Sequence, residues 1–189
     1  MPTIYRRRGS EELRAQYLEA VQRIEAWKET VRKTAMHQVS PDAKVEFISE
    51  PNSRVIDRFI FRATVQRGAL VHDGWRHVAT RRAIEPRVGA PGRPARHILA
   101  TIGIPENQPG HILNEAGLPE TYSAHGEELP VEWMFCDGSL WFSIPSAGTV
   151  TGLSEEWEPV TVTDFSALQE CWARDSADIT RHSDTTPTK

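Results

Sequence analysis

Histidine, cysteine, serine and arginine are the residues of this chain whose types could do chemistry. The seven histidines are His37, His72, His77, His97, His111, His125 and His182. None stands at the His-Glu-x-x-His or mixed His/Cys spacing that brings imidazoles and thiolates onto one metal ion. His72 and His77 lie on either side of Asp73-Gly74. A tight turn at that pair would set the two imidazoles across a ladder from one another, but a metal would still need a third ligand and an ordered outer shell. No metal is expected. Cys136 and Cys171 also lack ligand spacing. In a reducing compartment they are expected as free thiols, used as small core residues. Ser139 follows Asp137-Gly138, whose turn chemistry accounts for it, and no Gly-x-Ser-x-Gly elbow occurs. Cys136 has no cationic neighbour in sequence to hold it as thiolate. Gly89-Ala-Pro-Gly92 is no phosphate cradle, because its prolines remove backbone donors. The chain thus calls for no cofactor, and no catalytic residue is assigned.

Arginine gives the strongest pattern. Between Arg54 and Arg96 there are ten Arg, no Lys and three acids. Arg76, Arg81, Arg82, Arg87, Arg93 and Arg96 gather around a Pro- and Gly-rich stretch. A guanidinium fork can hold phosphate or carboxylate with two hydrogen bonds, so these six are the expected contacts of an anion- or nucleic-acid-binding surface. Against this stands chain-wide usage of 18 Arg to 4 Lys. Charge is also split along the chain: residues 1–99 carry a balance of +8 and residues 100–189 one of −12. Two halves of one fold that attract each other would give the same split.

The elements that must position these groups follow from periodicity. Leu13, Tyr17, Ala20, Ile24, Trp27, Val31 and Thr34 recur at spacings of four and three, which predicts an amphipathic helix from about Ser10 to Ala35, with Ser10 as N-cap. Ser40-Pro41-Asp42 ends it, and the pattern changes to period two. Val45 and Phe47 suggest a short strand, and Phe59, Phe61, Ala63 and Val65 one face of the next. Arg67-Gly68 predicts a turn and Asp73-Gly74 a type I′ hairpin, with a strand from Trp75 to Ile84. Residues 85–96 have loop composition, and His97 to Ile104 suggests another strand. Pro105 to Pro130 is a long irregular connection, in which His111 to Ala116 could form a short helix capped by Gly117. Asp137-Gly138, between Val131/Trp133/Phe135 and Leu140/Phe142/Ile144, is the strongest hairpin signal. Trp141 and Phe142 are adjacent, so that hairpin is apolar on both faces. Pro159 to Val162 suggests an edge strand. A capping box at Ser166-Ala-Leu-Gln169 opens a short helix with Phe165, Leu168 and Trp172 on one face.

These elements predict an α+β fold: a long N-terminal amphipathic helix on a mostly antiparallel sheet of about 5–7 strands, with a short C-terminal helix. The expected organisation is a single domain over 1–175 and a disordered polar tail over 176–189. No segment approaches the roughly 20 apolar residues of a membrane span, and the start lacks a secretory pattern, so no membrane association and a cytoplasmic location are expected. Three functions fit. The favoured one is a non-catalytic interaction or assembly protein, binding a protein partner or a second copy through Tyr17, Ile24, Trp27, Val31, Trp133 and Trp141. The second is a nucleic-acid or phosphate-ligand binder using the six arginines. The third is an enzyme with a site near residues 105–130, drawing on His97, His111, Glu115 or His125.

Overall fold

A computed structural model describes the backbone of residues 1–38, 40–48, 54–55, 58–67, 70–80, 84–86, 103–161 and 165–184, and the side chains of 1–38, 40–47, 54–55, 61–65, 103–161 and 166–175. The fold is α+β, with a long N-terminal helix and antiparallel sheets. Its elements in chain order are β1 (Thr3–Arg7), α1 (Glu11–Gln38), β2 (Lys44–Ile48), β3 (Arg58–Arg67), β4 (Leu70–Thr80), β5 (Ile84–Pro86), α2 (Pro109–Glu115), β6 (Thr121–Ala124), β7 (Glu127–Pro130), β8 (Glu132–Cys136), β9 (Ser139–Ile144), β10 (Glu158–Val160) and α3 (Phe165–Asp184). No described helix is long and apolar enough to cross a membrane. Contacts divide the chain into two units, Met1–Gln22 with Pro109–Lys189, and Arg23–Gln108.

In the first unit the sheet order is β10-β1-β9-β8, all antiparallel. The Asp137-Gly138 turn joins β8 and β9 as expected. Asp137 (φ 48°) and Gly138 (φ 69°) both adopt the left-handed conformation that a type I′ turn needs. Strand β1 was not legible as such. It lies inside the sheet, with Tyr5 opposite Phe142 on one side and Pro159 on the other. Only Ile4 and Tyr5 are apolar there, and the arginines that follow mask the strand.

Both faces of this sheet are covered by the chain itself. One face presents Phe135, Leu140, Phe142 and Ile144 to Leu113 and Leu118 at the end of α2 and to Trp157. Tyr5 stacks on Phe142, with centroids 4.8 Å apart, and Trp157 meets the same ring edge-on. The first turns of α1 close the margin through Leu13 and Tyr17. The other face carries Ile4, Cys136 and Trp141, and α3 lays Leu168 and Cys171 over them.

The junction between β1 and α1 is tied to the hairpin. Ser10 stands at the expected cap, fully buried, and its backbone N–H donates to the Gly138 carbonyl at 2.7 Å. Its hydroxyl turns back to donate to the Arg7 carbonyl at 2.9 Å. Gly117 (φ 75°) ends α2 in the left-handed cap anticipated from its sequence, while the Leu118 N–H reaches the Leu113 carbonyl. The irregular stretch after it contains a hairpin that period and composition did not signal. Strands β6 and β7 pair across His125-Gly126, both at positive φ.

The second unit holds the rest of α1 and a sheet of order β2-β3-β4-β5. Trp27, Val31 and Ala35 are the buried stripe of the helix, and Phe61, Ala63 and Val65 the buried face of β3. The Trp27 and Phe61 rings each lie 5.9 Å from that of Phe47. The hairpin expected at Asp73-Gly74 is instead a β-bulge. The chain reverses between Arg67 and Leu70, and β4 runs through Asp73-Gly74 with Val65 opposite His72 and Ala63 opposite Trp75. Two residues then oppose Thr64 alone, which is the geometry of a bulge, and Gly eases it. As a result His72 and His77 share one strand and do not face each other across a ladder. Of the strand expected over His97 to Ile104, residues 97–102 lie outside the described residues, and Gly103 and Ile104 are not in a strand.

Cys136 and Cys171 are not free thiols: they form a disulfide across a sequence separation of 35. The last residue of β8 and the second turn of α3 approach to a Cα–Cα distance of 6.0 Å, within the range a disulfide requires. Sequence spacing carries no sign of this, because only the docking of α3 brings the two together.

Candidate functional site

Of the arginines expected to meet anions, Arg76 lies in β4 opposite Arg62. The Arg76 side chain, together with Arg81, Arg82, Arg87, Arg93 and Arg96, lies outside the described residues, as does His97. Several arginines elsewhere pair internally. Arg6 and Arg8 both donate to the Glu158 carboxylate, at 2.8 and 2.6 Å, and Arg7 donates to Glu156 at 3.2 Å. These hydrogen bonds, Arg8 foremost and then Arg6, hold the Glu158 carboxyl below the ordinary carboxylate range. Glu128 is lowered in the same direction by the hydroxyls of Ser123 and Thr121. The described part of the charge split is therefore partly internal architecture.

The residues expected at a partner interface are spent largely inside the fold. Trp27, Val31 and Trp141 are buried, and Tyr17, Ile24 and Trp133 half-buried. Tyr17 meets the edge of Trp133 at 5.3 Å and lies 5.7 Å from Phe135, both within the first unit. The Trp141 indole N–H donates to the Cys136 carbonyl at 3.0 Å, and the Arg6 guanidinium covers its ring. His111 and Glu115 meet at 3.2 Å one turn apart on the exposed side of α2, and His125 occupies the β6–β7 turn.

Among the described residues, the first unit contains a groove of about 600 Å³. Its lining includes the open end of the aromatic hairpin, with Glu132 at the start of β8 and Ser143 and Ile144 at the end of β9. Helix α3 contributes Gln169 and Trp172. Tyr122 of β6, Pro130, Pro145, Ser146, Met1 and Pro2 complete the lining. Local sequence sets each part. Pro145 to Gly148 is a tight turn, with the Gly148 N–H donating to the Pro145 carbonyl at 2.8 Å. A Cβ at Gly148 would stand 2.8 Å from the Tyr122 ring, so only glycine lets that ring lie against the turn. Backbone bonds between Ser123 and Thr149 hold β6 to the same segment. On the other side, the disulfide and Leu168 dock α3, and one residue beyond Cys171 stands Trp172.

The chemistry of the lining is that of recognition. Trp172, Tyr122, Ile144 and three prolines supply apolar and aromatic surface. Ser143, Ser146 and Gln169 supply neutral donors and acceptors, and exposed Glu132 supplies one negative charge. The Trp172 Nε1–H is buried and meets no acceptor among the described residues. No histidine, cysteine or lysine stands among the lining residues to activate Ser143 or Ser146. Sequence reasoning missed the groove because its walls come from five separate stretches. Only the two-faced apolar hairpin and the Trp on the C-terminal helix pointed to its parts. No family model matches the chain, and neither a curated protein nor a solved structure matches it.

Proposed function

We propose that the protein is a non-catalytic interaction protein, and that the groove at the end of the β8–β9 hairpin receives an extended, proline-containing, basic segment of a protein partner. The observation that carries this reading is a groove lined by the Trp172 and Tyr122 side chains, Ile144 and three prolines. Aromatic-lined grooves recognise extended proline-rich chain because it is preformed and exposes its carbonyls as acceptors. Glu132 beside the same groove selects for Lys or Arg in the segment. Charge supports that choice: residues 1–22 and 109–189 together hold 7 Lys and Arg against 17 Asp and Glu, a net −10.

The test is titration of the full chain with proline-containing peptides of about five to eight residues, basic and acidic versions in parallel, followed by Trp fluorescence and calorimetry. The basic series should bind, Trp172→Ala should weaken binding at least about tenfold, and Glu132→Lys should remove the preference for basic peptides. The peptides should be recovered intact by mass spectrometry after long incubation. Binding that ignores both substitutions would overturn the proposal, and cleaved or modified peptide would replace it with the enzymatic reading.

A further inference from the structure

Beneath α3 the fold assembles a second piece of chemistry. One atom each from Cys136, Asp137 and Cys171 falls in a group whose members all lie within 4.8 Å of one another, the one such trio of thiol, imidazole or carboxylate groups among the described residues. Both cysteines are buried, and Asp137 is exposed. Asp137 sits in the left-handed turn at φ 48°. The Ser10 N–H holds the next carbonyl in the chain, that of Gly138, and the Trp141 indole N–H holds the carbonyl of Cys136. A second carboxylate, that of Glu11, lies against Gly138 and adds negative potential to the turn.

From this geometry we propose that, once the disulfide is reduced, Cys136, Asp137 and Cys171 form a binding site for a thiophilic divalent cation of the zinc class. The conversion balances. Two equivalents of a small thiol reduce the Cys136–Cys171 bond by two electrons and two protons, and leave as their own disulfide. The cation then displaces both thiol protons to solvent, and two thiolates, one carboxylate and a water fill four positions. Tetrahedral zinc with Zn–S of about 2.3 Å and Zn–O of about 2.0–2.2 Å places its ligand atoms roughly 3.4–3.8 Å apart. Once the bond is cut the two sulfurs must part from bonding distance to about 3.8 Å, while the Asp137 carboxylate already lies within 4.8 Å of both and the Cys136 and Cys171 Cα atoms are 6.0 Å apart. The exposed Asp137 side leaves an approach for the water. In either redox state β8 and α3 are thereby cross-linked, by sulfur–sulfur bond or by metal. The chain keeps its staple in an oxidising or a reducing compartment.

Cobalt(II) is the probe that reports the ligands. Full-length protein is reduced with a phosphine, freed of metal and titrated anaerobically with Co²⁺. A 1:1 complex with thiolate-to-cobalt charge-transfer absorption and the visible bands of a tetrahedral ion is expected. The oxidised protein should show neither. Asp137→Asn keeps a residue that tolerates the turn. It should retain the charge-transfer band and weaken binding by at least roughly tenfold through loss of one anionic ligand. Cys171→Ser should lose most of the band, with circular dichroism confirming that the variant is folded. Independently of any variant, Zn²⁺ should protect both thiols of the reduced wild type from alkylation. The proposal is overturned if the reduced wild type gives no thiolate band, if the oxidised form binds Co²⁺ equally, or if Zn²⁺ leaves alkylation unchanged.

Discussion

Glu158 shows how single side chains set the charge pattern. It accepts from Arg6 on the neighbouring strand β1 and from Arg8 just past its end, and those bonds favour its ionised form. A carboxyl whose folded pKa is depressed contributes stability that is present above the ordinary carboxylate pKa. That stability is lost as pH falls through the folded value. Acid therefore weakens this link only below the usual carboxylate range. Carbon-detected NMR titration should place the Glu158 midpoint below 4.5. Arg8→Ala should raise it, and by more than Arg6→Ala. The pair is partly exposed, so added salt should move the midpoint in the same direction. Tyr17 and Trp133 argue a different point at this scale. Both fit a partner interface by sequence; both are half-buried, and they meet edge to face within the first unit. A double-mutant cycle on Tyr17→Leu and Trp133→Leu, read by urea unfolding of the protein alone, should give a coupling of about 0.5–1.5 kcal/mol. A coupling of zero would mean the two rings do not stabilise each other in the free protein.

Elements were legible where one residue pair dictates backbone geometry, and illegible where long-range packing decides. Asp137-Gly138 needed only its own conformational preference and two alternating flanks, and the hairpin is there. Asp73-Gly74 carries the same two letters, but β3 and β4 pair along their whole length and absorb it as a bulge. Strand β1 has too few apolar residues to show a period, and takes its place because β9 and β10 supply partners on both sides. The disulfide and the groove share that cause: each joins residues from stretches far apart in sequence, so neither leaves a local trace. For α3 the consequence is measurable. Its docked face is small, chiefly Leu168, Cys171 and half-buried Trp172, with an ion pair from Arg14 to Asp175 at 2.8 Å. Closing a loop with a sequence separation of 35 removes unfolded-state entropy worth about 4 kcal/mol in the chain-entropy account. Reduction in the presence of a chelator should thus lower unfolding free energy by about 2–4 kcal/mol. Hydrogen exchange should quicken first in α3. Exchange quickening equally across β8, β9 and α3 would show that the bond does not act through this helix.

At the scale of the whole molecule, charge and connectivity divide along the same boundary. The unit of residues 23–108 holds 15 Lys and Arg against 9 Asp and Glu, a net +6, and the other unit a net −10. One covalent element is common to both: α1 runs without a break from Glu11 to Gln38 across the boundary at Gln22 and Arg23. Its buried residues fall on either side of that boundary, Ala20 in one unit and Trp27 and Val31 in the other. A helix that serves two cores makes each sensitive to the other's melting, because losing helix at one end removes a hydrogen-bonded base on which the next turn rests. Gln22 is exposed, so its side chain contributes little. Gln22→Pro removes a helix hydrogen bond and clashes with the preceding turn, at a cost of about 3 kcal/mol, whereas Gln22→Ala should change stability by no more than about 0.5 kcal/mol. If α1 couples the units, wild type should unfold in urea as one transition with all six tryptophans. Gln22→Pro should split that transition in two, Trp27 reporting one phase and Trp133 and Trp141 the other when each is read through single-tryptophan variants. Two transitions already present in the wild type would show that the shared helix does not couple the cores.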